Sequence, residues 1–438
     1  MAPGRPSATR RTRLLGWDLG FYLGCFAFAF ASAFASEFYG YRIWGAFASA
    51  GYGLAAAHSA GLLLCARAGR EPRGRLGSRW LGPAAIGLLA MIVPLAVLVI
   101  RRLTGVDWLI TPGSWAAQPE VWVIERSAGL LLRHGTPYVD VTALGRPPEV
   151  NDYTPYGPVM TVFGLPRALF GGNPVTDALT DARWMFALAA CLCVLASLRL
   201  LNWPRIPVLA AQLALACPLT ALTWSVAGPD LAIVGLLVLA CALAATGRAG
   251  WSGLVLALVI SAKLIAAPAA AVLLVHLWCR GRGETGRGHA DPVRFVTTLV
   301  TTTVVLHLPV YLAGPQAFLE HVIRFPLGMG VVHSPAASPL PGHLIAETGP
   351  AGTVVSLVLV GAAAVAVLVW LGRRPPATGS AALVRIAVGL GALILLTPAT
   401  RYGYLVYPLV LLGAALTFRA AERAGLRPPR SGPGATSS

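Results

Sequence analysis

Of the seventeen acidic residues in this chain, eight fall within one stretch, 101–183: Asp107, Glu120, Glu125, Asp140, Glu149, Asp152, Asp177 and Asp181. A second stretch, 314–350, holds Glu320, His321, Arg324, His333, His343 and Glu347. Carboxylates set among arginines and histidines suit general acid–base work, in which a proton is taken from an attacking hydroxyl. Cations beside them would neutralise an anionic leaving group. Other chemistries lack their residues. The seven cysteines (Cys25, Cys65, Cys191, Cys193, Cys217, Cys241, Cys279) form no CxxC, and the histidines form no HExxH. No phosphate-cradling glycine loop, GxSxG or nucleotide fingerprint occurs. The reading is therefore of no disulfide framework, no metal and no cofactor.

The elements that must hold these acids are apolar. The chain is 438 residues long, 56% hydrophobic and 12% charged, with a mean hydropathy of +0.69. Soluble domains run nearer a quarter charged, so a soluble enzyme is excluded. Apolar runs long enough to cross a bilayer core lie near 17–36, 44–66, 81–100, 184–201, 206–224, 231–247, 294–313, 353–371, 381–398 and 403–418. With the further run 249–279, they predict an all-α polytopic membrane helix bundle of about 10–12 transmembrane helices. The first run follows Arg10, Arg11 and Arg13 and has no clear cleavage site, so it reads as a retained anchor, not a signal peptide.

Arginine sets the expected orientation. The N-terminal tail, the loop 67–79, Arg199 with Arg205, Arg248, the loop 280–294, Arg373 to Arg385 and the C-terminal tail together carry 23 arginines, leaving 10 for the other side. The acids divide 5 to 12 the opposite way. Both termini are thus expected in the cytoplasm and 101–183 and 314–350 outside, in a multi-pass plasma-membrane protein. The net charge of +17 is then a topology signal, and no nucleic-acid partner is expected. Long ordered loops are usually functional, which suggests an enzyme working at the outer face.

The run 249–279 is bracketed by Arg248 and Arg280, both on the cytoplasmic side, so it must enter and return. A hairpin turning at 261–268, where Pro268 breaks the helix, would carry the chain's one lysine, Lys263, into the membrane. The alternative is a single kinked helix with Lys263 snorkelling to an interface. Within the first long loop, residues 119–134 put Val123, Ser127, Leu130 and Leu131 on one face, predicting an interfacial amphipathic helix stopped at Gly135-Thr136-Pro137. A second short apolar helix is expected to end at Gly171-Gly172.

At this point the residues resemble a family. Glu120, then a helix, then Gly135-Thr136-Pro137-Tyr138, then Tyr153-Thr154-Pro155-Tyr156-Gly157-Pro158 is similar to the polyprenol-phosphate-mannose-dependent mannosyltransferases. These are glycosyltransferase family 87, with the C-type membrane fold. Gly228-Pro229-Asp230, Lys263 with Pro268, and Arg401-Tyr402-Gly403-Tyr404 continue the likeness in order along the chain. It covers roughly 81–418, leaving 1–80 as a basic tail with two accessory helices and 419–438 as a disordered basic tail. Glu120 stands where the family usually has Asp, and Thr154 where it usually has a second proline. Composition rich in Ala, Gly, Pro and Arg fits a GC-rich genome of actinobacterial type.

The resemblance implies transfer of a hexose, mannose in this family, from a polyprenyl-phosphate sugar to a lipid or glycan acceptor of the cell envelope, among membrane lipids. Inverting transfer needs a carboxylate base, with Glu120 first and Asp107 second. Lys263 and Arg401 would meet the donor phosphate, and Tyr138, Tyr153, Tyr156, Asp230 and His333 would contact substrate. Each has a plainer role available: a solvated loop acid for Glu120, an interfacial anchor beside Tyr402 and Tyr404 for Arg401, packing for the histidines, and an interfacial belt for Trp108, Trp115 and Trp122. Two other functions stay open: a transporter or flippase of lipid-linked sugars, which would want ionisable residues at mid-membrane and inverted repeats, and a non-catalytic envelope scaffold.

Overall fold

The apolar runs fold as helices that stack into one bundle. The computed structural model describes residues 8–70, 74–105, 112–283, 290–332 and 335–425. Its main helices are α1 (Ala8–Ala35), α2 (Tyr39–Arg67), α3 (Leu81–Thr104), α4 (Pro119–His134), α5 (Ala182–Leu200), α6 (Val208–Ala216), α7 (Pro218–Val226), α8 (Pro229–Ala245) and α9 (Ala249–Ala262). They continue as α10 (Ala269–Gly283), α11 (Ala290–Ala313), α12 (Pro350–Arg373), α13 (Gly379–Leu396) and α14 (Val406–Gly425). Among the described residues the β pairing is limited to one bridge, Ala337 with Thr400.

The breaks have local causes. Pro218 lacks an N–H, and α6 and α7 bend by 41° just before it. Gly228 precedes α8 at φ +92°, a conformation costly for any residue with a Cβ, and a Cβ there would meet the Phe186 ring at 2.9 Å. Gly135 ends α4 in the same left-handed region, its N–H donating to the Leu131 carbonyl at 2.9 Å.

Eight described helices are long and apolar enough to cross a bilayer, or nine with α6 and α7 taken as one broken span. That is fewer than the ten to twelve expected. The shortfall lies in α2, α8 and α9. Helix α8 has 17 residues and α9 has 14, and most of their side chains are buried. A helix at the bundle centre is sheathed by protein, so its length and hydropathy need not match the hydrocarbon layer. At the periphery, α11 and α12 leave Val300, Val304, Val305, Val354, Val358, Val365 and Leu368 exposed. Apolar exposure sustained along whole helices belongs against lipid. The chain is a multi-pass membrane protein.

The run 249–279 enters and returns. Helices α9 and α11 run parallel, since Thr298 donates to the Gly250 carbonyl at 2.9 Å and Ser261 lies 3.3 Å from His307 Nδ1. Between them α10 comes back, and Arg280 near its end donates to the Ala245 carbonyl beside the start of α9. The single kinked helix is therefore set aside. The turn begins at Lys263, whose backbone is extended (φ −154°, ψ 120°), and passes through the 3-10 turn Leu264–Ala266.

Residues 1–80 are joined to the body by buried polar bonds. Asp18, 1% exposed, accepts from Arg79 at 2.6 and 2.7 Å and from Gln212 at 2.9 Å. Trp44 donates to the Ala90 carbonyl at 2.9 Å and Tyr52 to that of Ala216 at 2.8 Å. At the other end α14 continues to Gly425, past the expected boundary at 418, so 419–425 is helical and not a disordered tail. Residues 426–438 lie outside the described residues.

Candidate active site

Two carboxylates and two cations meet at the end of the bundle that carries both long loops. Each acid sits in the first turn of a helix, directly after a proline: Glu120 after Pro119 in α4, and Asp230 after Pro229 in α8. There the unpaired N–H groups and the helix dipole favour negative charge. Each cation sits in an extended break. Lys263 lies between α9 and α10, and Arg401 (φ −131°, ψ 142°) lies before the 3-10 turn Tyr402–Leu405.

The pairs are direct. Lys263 Nζ donates to Asp230 Oδ1 at 2.6 Å, and the Tyr407 hydroxyl donates to the same oxygen at 2.7 Å. The Lys263 ammonium stands 4.2 Å from the Tyr404 ring centroid and 5.7 Å from that of Tyr156, a geometry in which ring faces stabilise a cation. Arg401 donates to Glu120 Oε1, which pushes the Arg401 pKa above its ordinary value. Glu120 Oε2 is buried and has no hydrogen-bond partner among the described residues. Both acids raise the Tyr156 phenol, on top of the larger effect of burial. Glu120, Arg401, Asp230, Lys263 and Tyr156 thus form one cluster.

Close backbone approach holds the cluster together. The Gly157 N–H donates to the Ala262 carbonyl at 3.1 Å, and a Cβ on Gly157 would lie 2.1 Å from the Ser261 carbonyl oxygen. Only glycine lets the 153–158 segment rest on the hairpin tip. The segment before Glu120 is pinned from several sides. Gly40 donates to the Trp115 carbonyl at 2.8 Å, Gln118 N–H to that of Val226 at 2.8 Å, Gln118 Nε2 to the Tyr41 hydroxyl at 2.6 Å, and Arg183 to the Ala116 carbonyl at 3.0 Å.

Beneath α4 lies a buried charge network. Arg102 bridges Glu125 (2.9 Å) and Asp181 (2.5 Å), Arg183 pairs with Asp181 (2.8 Å), and Arg167 links Glu125 (3.2 Å) to Asp177 (2.9 Å). Helix α4 therefore buries Val123 and Ser127 of the expected face, leaves Leu130 and Leu131 half-buried, and buries Val121, Ile124, Ala128 and the charged Glu125 with them, so it packs into the protein more deeply than the interfacial helix expected. A charge is stable at that depth because Arg102 and Arg167 meet it.

The second long loop clasps the first. Thr154 N–H donates to His321 Nδ1 at 2.9 Å, so Nε2 carries the ring proton and faces the Val139 carbonyl at 2.8 Å. Tyr153, stacked on Phe325 at 4.1 Å, donates to Glu320 at 3.0 Å. Tyr138 donates to the Tyr156 carbonyl at 2.8 Å. Tyr138 and Tyr153, 3% and 1% exposed, have their hydroxyls occupied within the protein. Further along, Ser338 N–H donates to the Thr400 carbonyl at 2.9 Å, setting the approach to Arg401.

Burial lowers the His321 pKa to about 4 from its usual 6.5. The unfolded chain would take a proton below about pH 6.5 that the clasp refuses until about pH 4, so the clasp is intact above pH 6.5 and weakens as pH falls toward 4. The loss sums to roughly 3 kcal/mol. Hydrogen-exchange protection over 136–156, taken relative to the intrinsic exchange rate at each pH, is expected to fall across that window in the wild type, with a shallower pH dependence in His321→Gln.

Of the residues expected at the site, Glu120, Lys263, Arg401, Asp230 and Tyr156 come together, while Tyr138 and Tyr153 lie behind them. Asp107, His333 and Trp108 lie outside the described residues. Trp115 stacks on Phe38 at 5.5 Å, and Trp122 lies 4.8 Å from the Arg126 guanidinium. Sequence reading missed Tyr407, although Tyr404 and Tyr407 are three apart and share a face beside Arg401. It also missed the clasp and the network, which join segments far apart in the chain, Arg102 to Glu125 across 23 residues and His321 to Val139 across 182.

The sequence model of glycosyltransferase family 87 matches residues 153–398, more than half of the chain. The chain belongs to glycosyltransferase family 87. It is a membrane glycosyltransferase, which takes the place of the transporter and scaffold readings. The family 87 match takes in the Tyr153–Pro158 segment, Asp230, Lys263 and His321. Glu120 lies upstream of the matched range and Arg401 just past its end. No curated protein sequence and no solved structure gives a match.

Proposed function

We propose that this enzyme transfers mannose from a polyprenyl-phosphate sugar to a lipid or glycan acceptor of the cell envelope, at the outer face of the plasma membrane. The observation that carries the reading is Glu120: one oxygen is held by Arg401, and the other is buried with no hydrogen-bond partner among the described residues, in the cluster that also holds a second cation, Lys263. In the proposed step the acceptor hydroxyl oxygen attacks the anomeric carbon and its proton passes to Glu120 Oε2. The bond from that carbon to the donor phosphate breaks, and the phosphate leaves with the electron pair. Arg401 and Lys263 meet the charge that grows on it.

The positive-inside asymmetry supports an outer-face site, because the long loops carry the acid-rich side. The absence of a nucleotide fingerprint in the sequence supports a lipid-phosphate donor. Tyr153 and Tyr138 act in this reading by positioning Tyr156 and the 153–158 segment, and His321 by holding that segment on the second loop. The test is a transfer assay in membranes with radiolabelled polyprenyl-phosphate mannose against radiolabelled nucleotide-linked mannose. Label is expected in a lipid or glycan product only from the former. Transfer from the nucleotide sugar with the polyprenyl-phosphate pathway blocked would sink the donor assignment.

A further inference from the structure

At the opposite end of the bundle, α6, α13 and α14 leave a groove of about 500 Å³ between them. Its walls include Leu209, Leu213, Leu412 and Leu416, and its mouth carries Arg385 and Arg419. Arg385 is 8% exposed, yet its Nε is buried with no hydrogen-bond partner. The rest of its guanidinium donates to main-chain carbonyls, those of Ala381 (2.9 Å) and Arg374, and stacks 4.7 Å over the Trp370 ring. Arg419 is exposed. Among the described residues neither arginine pairs with an acid. The nearby Glu422 is turned to Ser380, accepting from its N–H at 2.8 Å and its hydroxyl at 2.5 Å.

A buried guanidinium without a counter-ion, at the mouth of an apolar groove, is complementary to one chemical class: a phosphate on an acyl chain. We propose that this groove binds an anionic phospholipid of the leaflet opposite Glu120, with the phosphate against Arg385 and Arg419 and an acyl chain along the leucines. A neutral zwitterionic lipid fits less well, because its own cation would compete for the phosphate. Each arginine near an anionic lipid surface contributes about 1 kcal/mol, so the two together predict a preference of roughly ten- to thirtyfold.

The experiment is native mass spectrometry of the full chain in detergent, with equal amounts of phosphatidylglycerol and phosphatidylcholine of the same acyl chains. The wild type is expected to retain phosphatidylglycerol preferentially. Arg419→Gln should lower that preference several-fold and Arg385→Gln/Arg419→Gln should abolish it, while Leu416→Trp, which fills the groove without changing charge, should weaken retention of both lipids. Arg199→Gln/Arg205→Gln, at two exposed arginines in the last turn of α5 and in the α5–α6 connection, should leave the preference unchanged. Equal retention of the two lipids by the wild type would overturn the site. So would a preference that survives the groove variants, or one lost as fully in the Arg199/Arg205 variant. If Arg385→Gln does not fold, Arg419→Gln and Leu416→Trp decide the matter alone.

Discussion

Glu120→Gln is expected to lower sugar transfer by about 10²–10⁴-fold, the usual contribution of a general base. Glutamine keeps the volume and can still accept from Arg401, but it cannot take the acceptor's proton on the free oxygen. The loss should therefore fall on kcat, with the donor KM little changed, since the cations stay in place. The thermal midpoint should also stay near that of the wild type, because Glu120 is part-exposed and the buried network beneath α4 is untouched. Asp107→Asn should be milder, within about tenfold. Transfer assays on the two variants decide the order. A larger loss in Asp107→Asn moves the base there, and a larger loss in Asp230→Asn moves it to the second carboxylate. If none of the three lowers transfer, the carboxylate mechanism fails.

Lys263→Met is expected to damage both stability and transfer. Methionine fills the space but leaves Asp230 with Tyr407 alone against its charge. Breaking a buried pair from one side costs about 3–5 kcal/mol, and the lower end applies here because the two side chains keep 13% and 14% of their surface open. The double variant Lys263→Met/Asp230→Asn removes the orphaned charge. It should recover most of the thermal midpoint while transfer stays low, with a raised donor KM from the missing cation. Recovery of transfer along with stability would show that Lys263 serves only to hold Asp230. That outcome would leave Arg401 as the single phosphate contact.

Much of this architecture is legible one residue at a time. Helix α4 from Pro119 to His134, its stop at Gly135 and the turn at Lys263 follow from local signals: a proline at a first turn, a glycine at a last one, an apolar period. The return of 249–279 follows from Arg248 and Arg280, because an apolar run bracketed by two arginines expected on the same side has to come back. Hydropathy along the chain reports how a segment would partition between water and lipid. It cannot report whether lipid or protein will surround the segment, which is why the central α8 and α9 fall short of the expected spans.

The pairing of charges is where sequence alone runs out. Glu120, Arg401, Asp230 and Lys263 are each visible in the chain as ionisable groups near helix ends. Nothing in their spacing says that Arg401 would meet Glu120 across 281 residues, or that Lys263 would find Asp230 instead of an acid of the first loop. The same holds for Glu125, which the chain shows only as one acid of the predicted helix 119–134 until Arg102 and Arg167 surround it, and for His321, which reads as one histidine among three until Thr154 and Val139 close on its ring. Local propensity and partition are properties of a segment, and a sequence states them directly. A buried ion pair depends on two segments arriving at one place, and only the packing of α4, α8, the hairpin tip and the start of α14 brings them there.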